Sequence, residues 1–451
     1  MKRAVVLSGG GARGSYEVGV WKALRELGYT YDIVTGTSVG SLNGALMVQN
    51  DINTAYEMWE KLDTGYILEF EIKQDTHTVE GMLETLNLFA KEAFKTRGVS
   101  SAPLQKLLTQ VIDEDKIRGS AVNFGLVTVE VPALKPHQLY INDIPHGKLV
   151  DYLVASSSCF PAMHSHTIDG RMFVDGGYFD NTPISLAVKG GAEEAVVVKL
   201  RTVGVVRQQR YRAVKVDVIE PKWDLGAMFV FDGSRAKRNI ALGYYDCKKH
   251  FGLYDGGKYT FYTGEAEKNA QHILTLFRSF FAGLDVDIEA EAPRDVSHVL
   301  GGVHEYLARY EVLKAAKKRW CKKEVSLTDM VTAAAEAAGE LLGVSPFTPY
   351  RFETYNFKLM NQVVRYARLP YSELDLDVSP ALSVKECITN ISRAVSPVSS
   401  PNRMMYILSC LADDEKLVQN KRLIAMLAAA MPVEFMAALY IGTLRTFVRS
   451  E

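Results

Sequence analysis

Two short apolar strands, each followed by a glycine-rich turn and a helix, constrain this chain more than any other feature of its sequence. The first strand is RAVVL at 3–7, and the helical pattern after its turn spans 13–28. The second strand is YDIVTG at 31–36, and a helix rich in small residues follows at 39–49. Two apolar strands joined by a helix form a parallel βαβ unit. The sequence therefore predicts an α/β layered fold.

Further strand patterns continue this alternation to about residue 200. They cover 123–131, 138–141, 171–174 and 194–200. The intervening residues 51–118 are mainly helical and amphipathic, with a strong apolar side over 79–98. We interpret 51–118 as a helical, cap-like insertion, in which the helix at 79–98 either packs on the core or covers an apolar substrate cleft.

The pattern changes after about residue 290, where helices replace the alternation. Helical patterns span 298–320, 326–343, 403–412, 414–431 and 433–448. Ser326 and Asp329 form a capping-box pattern, and the Ser/Pro-rich stretch 392–403 predicts a linker or loop. We therefore predict an α/β domain over 1–290 and an all-helical domain over 291–451.

Composition and charge exclude several classes of protein. The net charge of −1 offers no excess positive charge for a nucleic acid. The five cysteines lie far apart without a C-x-x-C pair, which indicates free thiols in a reducing compartment. The apolar run Ala4–Leu7 is too short for a signal peptide, and Pro432 and Glu434 interrupt the apolar stretch 423–444. We expect a cytoplasmic protein without a transmembrane span.

The first glycine turn, LSGGGARGSYE at 7–17, allows two interpretations. Gly9, Gly11 and Gly14 match the dinucleotide pattern G-x-G-x-x-G, so a dinucleotide-binding enzyme is one alternative. Such enzymes also use an acidic residue near the end of the second strand, where this chain has GTSVG. The other interpretation is an anion site, since the bare N–H groups of the turn and the following helix dipole suit an oxyanion.

The second glycine turn, GTSVG, places Ser38 between Gly36 and Gly40. Two glycines let the strand and helix approach closely, so the turn is sharp and the serine hydroxyl points outward. Because both glycine turns follow parallel strands, they are expected at the same carboxyl edge of the sheet. The sequence thus predicts a serine nucleophile beside an oxyanion hole, with Arg13 either adding positive charge or bracing the loop.

A serine nucleophile needs a base, and Asp175 is the first candidate. It ends the strand pattern 171–174 and precedes Gly176 and Gly177, so its carboxylate can reach the same edge. Asp180 fits the start of a helix better.

Histidines are the other candidates for the base. His164 and His166 precede Asp175, whereas Ser-His-Asp hydrolases of α/β type usually place the histidine last. The later histidines lie in no turn motif of this kind: His250, His272, His298 and His304.

Taken together, these motifs resemble the patatin-like phospholipase family. They stand in the family's order at 9–14, 36–40 and 175–177. The segments ASSSCFPAM at 155–163 and DNTP at 180–183 also resemble the family, whereas Ser8 stands where the family often has an aspartate. The likeness covers 3–200 well and extends weakly to about 290.

The resemblance implies a three-layer α/β/α core with a mainly parallel sheet and a serine–aspartate dyad without histidine. Ser38 would be the nucleophile and Asp175 its base. The oxyanion hole would be formed by Gly9, Gly10, Gly11 and Ala12. The supporting motif residues would be Arg13, Gly14, Gly36, Gly40, Gly176 and Gly177. The implied reaction is hydrolysis of lipid acyl esters, of phospholipase A, lysophospholipase or esterase type, with no metal and no cofactor.

The expected partners follow from this reaction. They are a lipid or acyl-ester substrate and, transiently, a membrane surface, but no nucleic acid. The C-terminal helices could dock a membrane, form an oligomer or bind a protein activator. A vestigial hydrolase acting as a binding module is a further alternative, although the intact Ser38 and Asp175 argue against it.

Overall fold

The computed structural model describes residues 1–62, 98–202, 204–207, 214–282, 314, 326–367, 376, 382–411 and 421–448. The chain divides into two compact units, Met1–Phe251 and Gly252–Glu451. The domain boundary predicted at 290 and nearly all of the helical patterns at 79–98 and 298–320 lie outside the described residues. They stay predictions.

The first unit is built on a mixed, mostly parallel sheet of eight strands among the described residues. These are β1 (Arg3–Leu7), β2 (Ile33–Thr37), β3 (Asn123–Val131), β4 (Lys135–Tyr140), β5 (His166–Ile168), β6 (Arg171–Asp175), β7 (Glu194–Val198) and β8 (Lys215–Ile219). Their order is β5-β6-β3-β2-β1-β7-β8, with β4 paired to β3. The run from β3 to β8 is parallel, whereas β4 and β6 are antiparallel to β3. The predicted α/β class with a mainly parallel sheet is confirmed.

Helices flank this sheet and bury its central strands. They are α1 (Ser15–Glu26), α2 (Val39–Val48), α3 (Ile52–Lys61), α4 (Ala102–Val111), α5 (Glu114–Arg118), α6 (Leu149–Ser156), α7 (Ile184–Lys189) and α8 (Gly233–His250). Strand β2 is buried along its whole length, and β1 is buried in all but its first residue. This continuous burial explains why both strands are runs of apolar and small residues instead of alternating patterns.

The carboxyl ends of β2 and β6 meet on β3. Thr37, the last residue of β2, pairs with Val127, and Asp175, the last residue of β6, pairs with the next residue, Thr128. Because β2 runs parallel to β3 and β6 runs antiparallel to it, the two strands reach this point from opposite directions. The segments that follow them, beginning with Ser38 and with Gly176, are therefore neighbours.

The second unit contains short strands β9 (Tyr254–Asp255) and β10 (Phe261–Tyr262), and its other described elements are helices. The helices are α9 (Glu265–Ala282), α10 (Leu327–Leu341), α11 (Phe352–Ala367), α12 (Val384–Val395), α13 (Ser400–Leu411), α14 (Lys421–Ala430) and α15 (Pro432–Val448). The predicted capping box of Ser326 and Asp329 is present at the start of α10.

The linker or loop predicted over 392–403 is present but shorter, since α12 ends at Val395 and α13 begins at Ser400, which leaves 396–399 between them. Pro401 lies in the first turn of α13, where a missing N–H breaks no helical hydrogen bond, so the Ser/Pro composition does not require a loop there. The apolar stretch 423–444 is split between α14 and α15. Within the described ranges, no helix has both the length and the apolar character needed to cross a bilayer.

Candidate active site

Ser38 lies on a sharp turn between β2 and α2. Its backbone has φ 54° and ψ −131°, a strained conformation for a residue with a Cβ atom. The turn is tight, because a Cβ on Gly36 would overlap the carbonyl of Gly40 and a Cβ on Gly40 would overlap the carbonyl of Leu7. The two glycines of GTSVG thus allow the close strand–helix approach that the sequence predicts.

Helix α6 holds the backbone of this turn. The N–H of Ser38 donates to the Oγ of Ser156 over 3.0 Å, and that hydroxyl donates to the carbonyl of Val127 over 2.7 Å. The carbonyl of Ser38 accepts from the Oγ of Ser41 at 2.6 Å. These bonds satisfy buried backbone groups in a strained turn. Ser156 belongs to the ASSSCFPAM segment, whose spacing in the sequence gave no indication of this contact.

Asp175 lies beside Ser38, and both residues line the same cavity. The Oδ1 of Asp175 accepts from the N–H of Gly177 at 2.7 Å, and its own N–H donates to the carbonyl of Ser158 at 2.9 Å. The residue is only 6% exposed. Burial raises the pKa of Asp175 to about 6, while the nearby hydroxyl of Ser38 and the N–H of Gly177 oppose that increase.

The Gly9–Ala12 turn lies next to these two residues, but its N–H groups are not equivalent. Gly9 donates to the carbonyl of Asn181 at 3.0 Å, and Ala12 donates to the carbonyl of Met228 at 2.8 Å. In the described part of the chain, the N–H groups of Gly10 and Gly11 have no acceptor. Of the four residues predicted for the oxyanion hole, Gly10 and Gly11 are therefore the two with a donor available.

Arg13 braces the glycine turn. Its Nε donates to the carbonyl of Gly226 at 2.8 Å, and its Nη1 donates to the carbonyl of Arg201 at 2.9 Å. The turn also needs glycine at position 11, which has φ 55° and where a Cβ would overlap the carbonyl of Met228. Of the two alternatives for Arg13, these contacts fit bracing.

Ser38, Asp175 and the glycine turn line one cavity of about 850 Å³. Its walls are mainly apolar, and the predicted insertion 51–118 contributes six of its side chains: Met58, Trp59, Leu62, Leu104, Leu107 and Leu108. The last three follow an i, i+3, i+4 spacing, which indicates one helix face but not what that face contacts. The described part of 51–118 therefore lines an apolar cleft, whereas the two alternatives for 79–98 concern a segment that lies almost entirely outside the described residues.

The other predicted candidates for the base lie apart from this cavity. Neither His164 nor His166 is among its described lining residues, and the Nε2 of His166 is 3.3 Å from a carboxylate oxygen of Asp151. The carboxylate of Asp180 accepts from the Oγ of Ser185 at 2.9 Å, and burial raises its pKa to about 6. Asp180 thus holds the loop before α7, although it precedes the position that caps this helix.

Comparison with known proteins matches the part of the chain that carries this site. Residues 5–188 match the family model described as Patatin-like phospholipase. Patatin-like phospholipase domain-containing protein 6 of Homo sapiens is 30% identical over 204 residues, which are 43% of this chain and 13% of that protein. Lysophospholipase nte1 of Aspergillus terreus is 31% identical over 183 residues, which are 40% of this chain and 10% of that protein.

The chain therefore matches only a small part of the length of these relatives. The crystal structure of the type III effector protein ExoU is 13% identical and covers 91% of this chain and 88% of its own, with a TM-score of 0.29. That score is too low to support a structural argument.

Proposed function

Because residues 5–188 match the family model described as Patatin-like phospholipase, we propose that this chain is a lipid acyl hydrolase that cleaves carboxylic esters through Ser38 and Asp175. One observation carries the proposal: Ser38 and the buried Asp175 lie side by side on the wall of one large, mainly apolar cavity. A nucleophile beside a base and an apolar binding space are the two requirements for this reaction.

The reaction begins when Asp175 takes the proton from Ser38 and the Oγ attacks the ester carbonyl. The N–H groups of Gly10 and Gly11 stabilise the negative oxygen of the tetrahedral intermediate. Asp175 then returns the proton to the leaving alcohol or lysolipid, and an acyl-enzyme remains. A water molecule that gives its proton to Asp175 attacks this ester, and the fatty acid leaves as Ser38 recovers its proton.

The environment of Asp175 makes a carboxylate a better base than it is in water. An aspartate has an ordinary pKa near 3.8, far below that of a serine hydroxyl, whereas burial raises the pKa of Asp175 to about 6. The proton transfer is therefore less unfavourable, yet the group is mostly ionised at neutral pH. The oxyanion donors supply the remaining stabilisation.

The walls of the cavity favour a long acyl chain as ligand. Side chains such as Trp59, Leu107 and Leu108 offer apolar contacts and few polar groups. A dinucleotide would need an acidic side chain at the end of β2 for its ribose, and Thr37 and Ser38 stand there. The cavity beside the glycine turn also holds the carboxylate of Asp175, which would repel a pyrophosphate.

The direct experiment is to incubate the full chain with a mixed lipid extract and to identify the products by mass spectrometry. The Ser38→Ala variant is the matched control. We expect free fatty acids and the corresponding deacylated lipids from the unmodified chain only. Equal release by both proteins would refute the proposal, as would NAD or NADP binding without labelling of Ser38 by a fluorophosphonate. A chain that binds lipids without turning over a p-nitrophenyl acyl ester would be a binding module.

The pH dependence of the reaction should report Asp175. Since the base must be ionised, we expect kcat/KM to fall about tenfold per pH unit below about pH 6 and to level off above it. The measurement is hydrolysis of a short p-nitrophenyl ester from about pH 4.5 to about pH 8, with the folded fraction followed by circular dichroism. A rate that increases towards acid in fully folded protein would be incompatible with an aspartate base.

Filling the cavity should change the preference for acyl chain length. Leu107 is buried on α4 and lines the cavity, so Leu107→Trp should shorten the space for the acyl chain. We expect kcat/KM for a twelve-carbon ester, relative to a four-carbon ester, to fall about tenfold, because each lost methylene contact weakens transition-state binding. Gln110→Trp, on the exposed side of the same helix, is the matched control. An unchanged ratio would place the acyl chain elsewhere.

A further inference from the structure

The carbonyl of Gly9 is held by two side chains. The Oγ1 of Thr202 donates to it at 2.7 Å, and the Nδ2 of Asn181 lies at 3.4 Å from it and at 3.2 Å from the same threonine oxygen. The N–H of Gly9 in turn donates to the carbonyl of Asn181 at 3.0 Å. Both polar groups of Gly9 are thus engaged by residues that follow β6 and β7.

These contacts determine the direction of the next N–H group. In a trans peptide, the carbonyl of Gly9 and the N–H of Gly10 point in opposite directions. The carbonyl faces Thr202, which is not among the described residues that line the cavity, whereas Gly10 is one of them. The space between Gly10 and Thr202 is filled, since a Cβ on Gly10 would lie 3.2 Å from the Cγ2 of Thr202 and closer still to the side chain of Leu200. The N–H of Gly10 therefore points away from Thr202.

The Gly9–Gly10 peptide needs these hydrogen bonds to keep its orientation, because both of its residues are glycines. A peptide between two glycines has no Cβ atom on either side, so little steric hindrance opposes its rotation. If this peptide rotated by half a turn, the carbonyl of Gly9 would replace the N–H of Gly10 on the cavity side. A carbonyl there would repel the negative oxygen that the N–H stabilises.

We propose that Thr202 and Asn181 are positioning residues that hold the Gly9–Gly10 peptide with its N–H towards the reacting carbonyl of the substrate. This inference rests on the proposed ester hydrolysis and assigns Thr202 an effect that reaches the reaction only through Gly9. Backbone hydrogen bonds of Asn181 also connect the proposed oxyanion hole to the loop that carries the proposed base. The N–H of Asn181 donates to the carbonyl of Val205 at 2.7 Å, and the N–H of Val205 donates to the carbonyl of Gly177 at 2.9 Å, next to Asp175.

The test is Thr202→Val, which keeps the shape of the side chain and removes the hydroxyl. With a four-carbon p-nitrophenyl ester, we expect kcat to fall about tenfold or more with KM changed less than about twofold, since loss of an oxyanion donor acts on the transition state. The affinity for a trifluoromethyl ketone, which forms a tetrahedral adduct, should fall by a similar factor. Thr202→Ser should restore both values, and Thr109→Val, at an exposed site on α4, should change neither.

A merely structural role for Thr202 would give a different result. Rates are therefore divided by the amount of protein that a fluorophosphonate labels to completion, and Thr202→Ala provides a second variant if the valine disturbs folding. Normalised kcat values equal to those of the unmodified chain would overturn the inference. So would a loss that Thr202→Ser does not restore. Ser38→Ala in the same assay distinguishes a failure of the proposed function from a failure of this inference. Full activity of Ser38→Ala would refute the proposed function. An inactive Ser38→Ala together with a fully active Thr202→Val would refute only the role of Thr202.

Discussion

Replacing Ser38 by alanine is expected to lower ester hydrolysis by about a thousandfold or more, because the substitution removes the hydroxyl that is proposed to form the acyl-enzyme. The substitution removes one hydroxyl, and the backbone bonds that hold the turn come from Ser156 and Ser41 and do not involve the Ser38 side chain. The fold should therefore be retained. Alanine has the same Cβ as serine, so the strain at φ 54° is unchanged.

The measurement for Ser38 is turnover of a p-nitrophenyl acyl ester together with covalent labelling by a fluorophosphonate. Both should be lost in Ser38→Ala while the thermal unfolding midpoint stays close to that of the unmodified chain. Ser234→Ala, at an exposed serine outside the described lining of the cavity, should leave both unchanged. Undiminished turnover by Ser38→Ala would show that another nucleophile carries the reaction.

Replacing Asp175 by asparagine is expected to lower turnover by about a thousandfold while raising the stability of the fold at neutral pH. Asparagine cannot accept the serine proton, which explains the loss. The increase in stability has a separate cause, since burying the charged carboxylate of Asp175 destabilises the folded state. The difference between a pKa of about 6 and the ordinary 3.8 corresponds to about 3 kcal/mol, part of which the uncharged amide should recover.

The raised pKa of Asp175 determines how its contribution to folding stability changes with pH. The protonated form of Asp175 fits the folded state, so its contribution to stability is complete below about pH 3.8 and is lost as the pH rises through about 6. The difference in unfolding free energy between Asp175→Asn and the unmodified chain should therefore grow from about pH 4 to about pH 7. Urea unfolding at several pH values measures it.

One combination of results would contradict the role of Asp175 directly. If Asp175→Asn kept the full rate and a variant of His164 or His166 lost it, the base would be a histidine. In the structure, neither histidine lines the described cavity, and His166 contacts Asp151 instead. The buried carboxylate and the strained serine both cost folding stability, and such costs are common where a fold holds reactive groups in place.

Much of the site could be predicted from local sequence. Gly36 and Gly40 bracket Ser38 because a tight turn between a strand and a helix leaves no room for a Cβ at either position. Apolar runs at β1 and β2 predict buried parallel strands, and the i, i+3, i+4 spacing at Leu104, Leu107 and Leu108 indicates a helix face. These features depend on backbone conformation and on burial, and both leave a pattern in neighbouring residues.

Other parts of the site depend on segments that are distant in sequence. The sequence places Asp175 at a strand end, but only the pairing of Thr37 with Val127 and of Asp175 with Thr128 brings it to Ser38, from a strand that runs in the opposite direction. Likewise, a run of glycines predicts free N–H groups without showing which of them Asn181 and Met228 will engage. Strand direction and hydrogen-bond partners are settled by contacts across the fold, and no local pattern of residues records them.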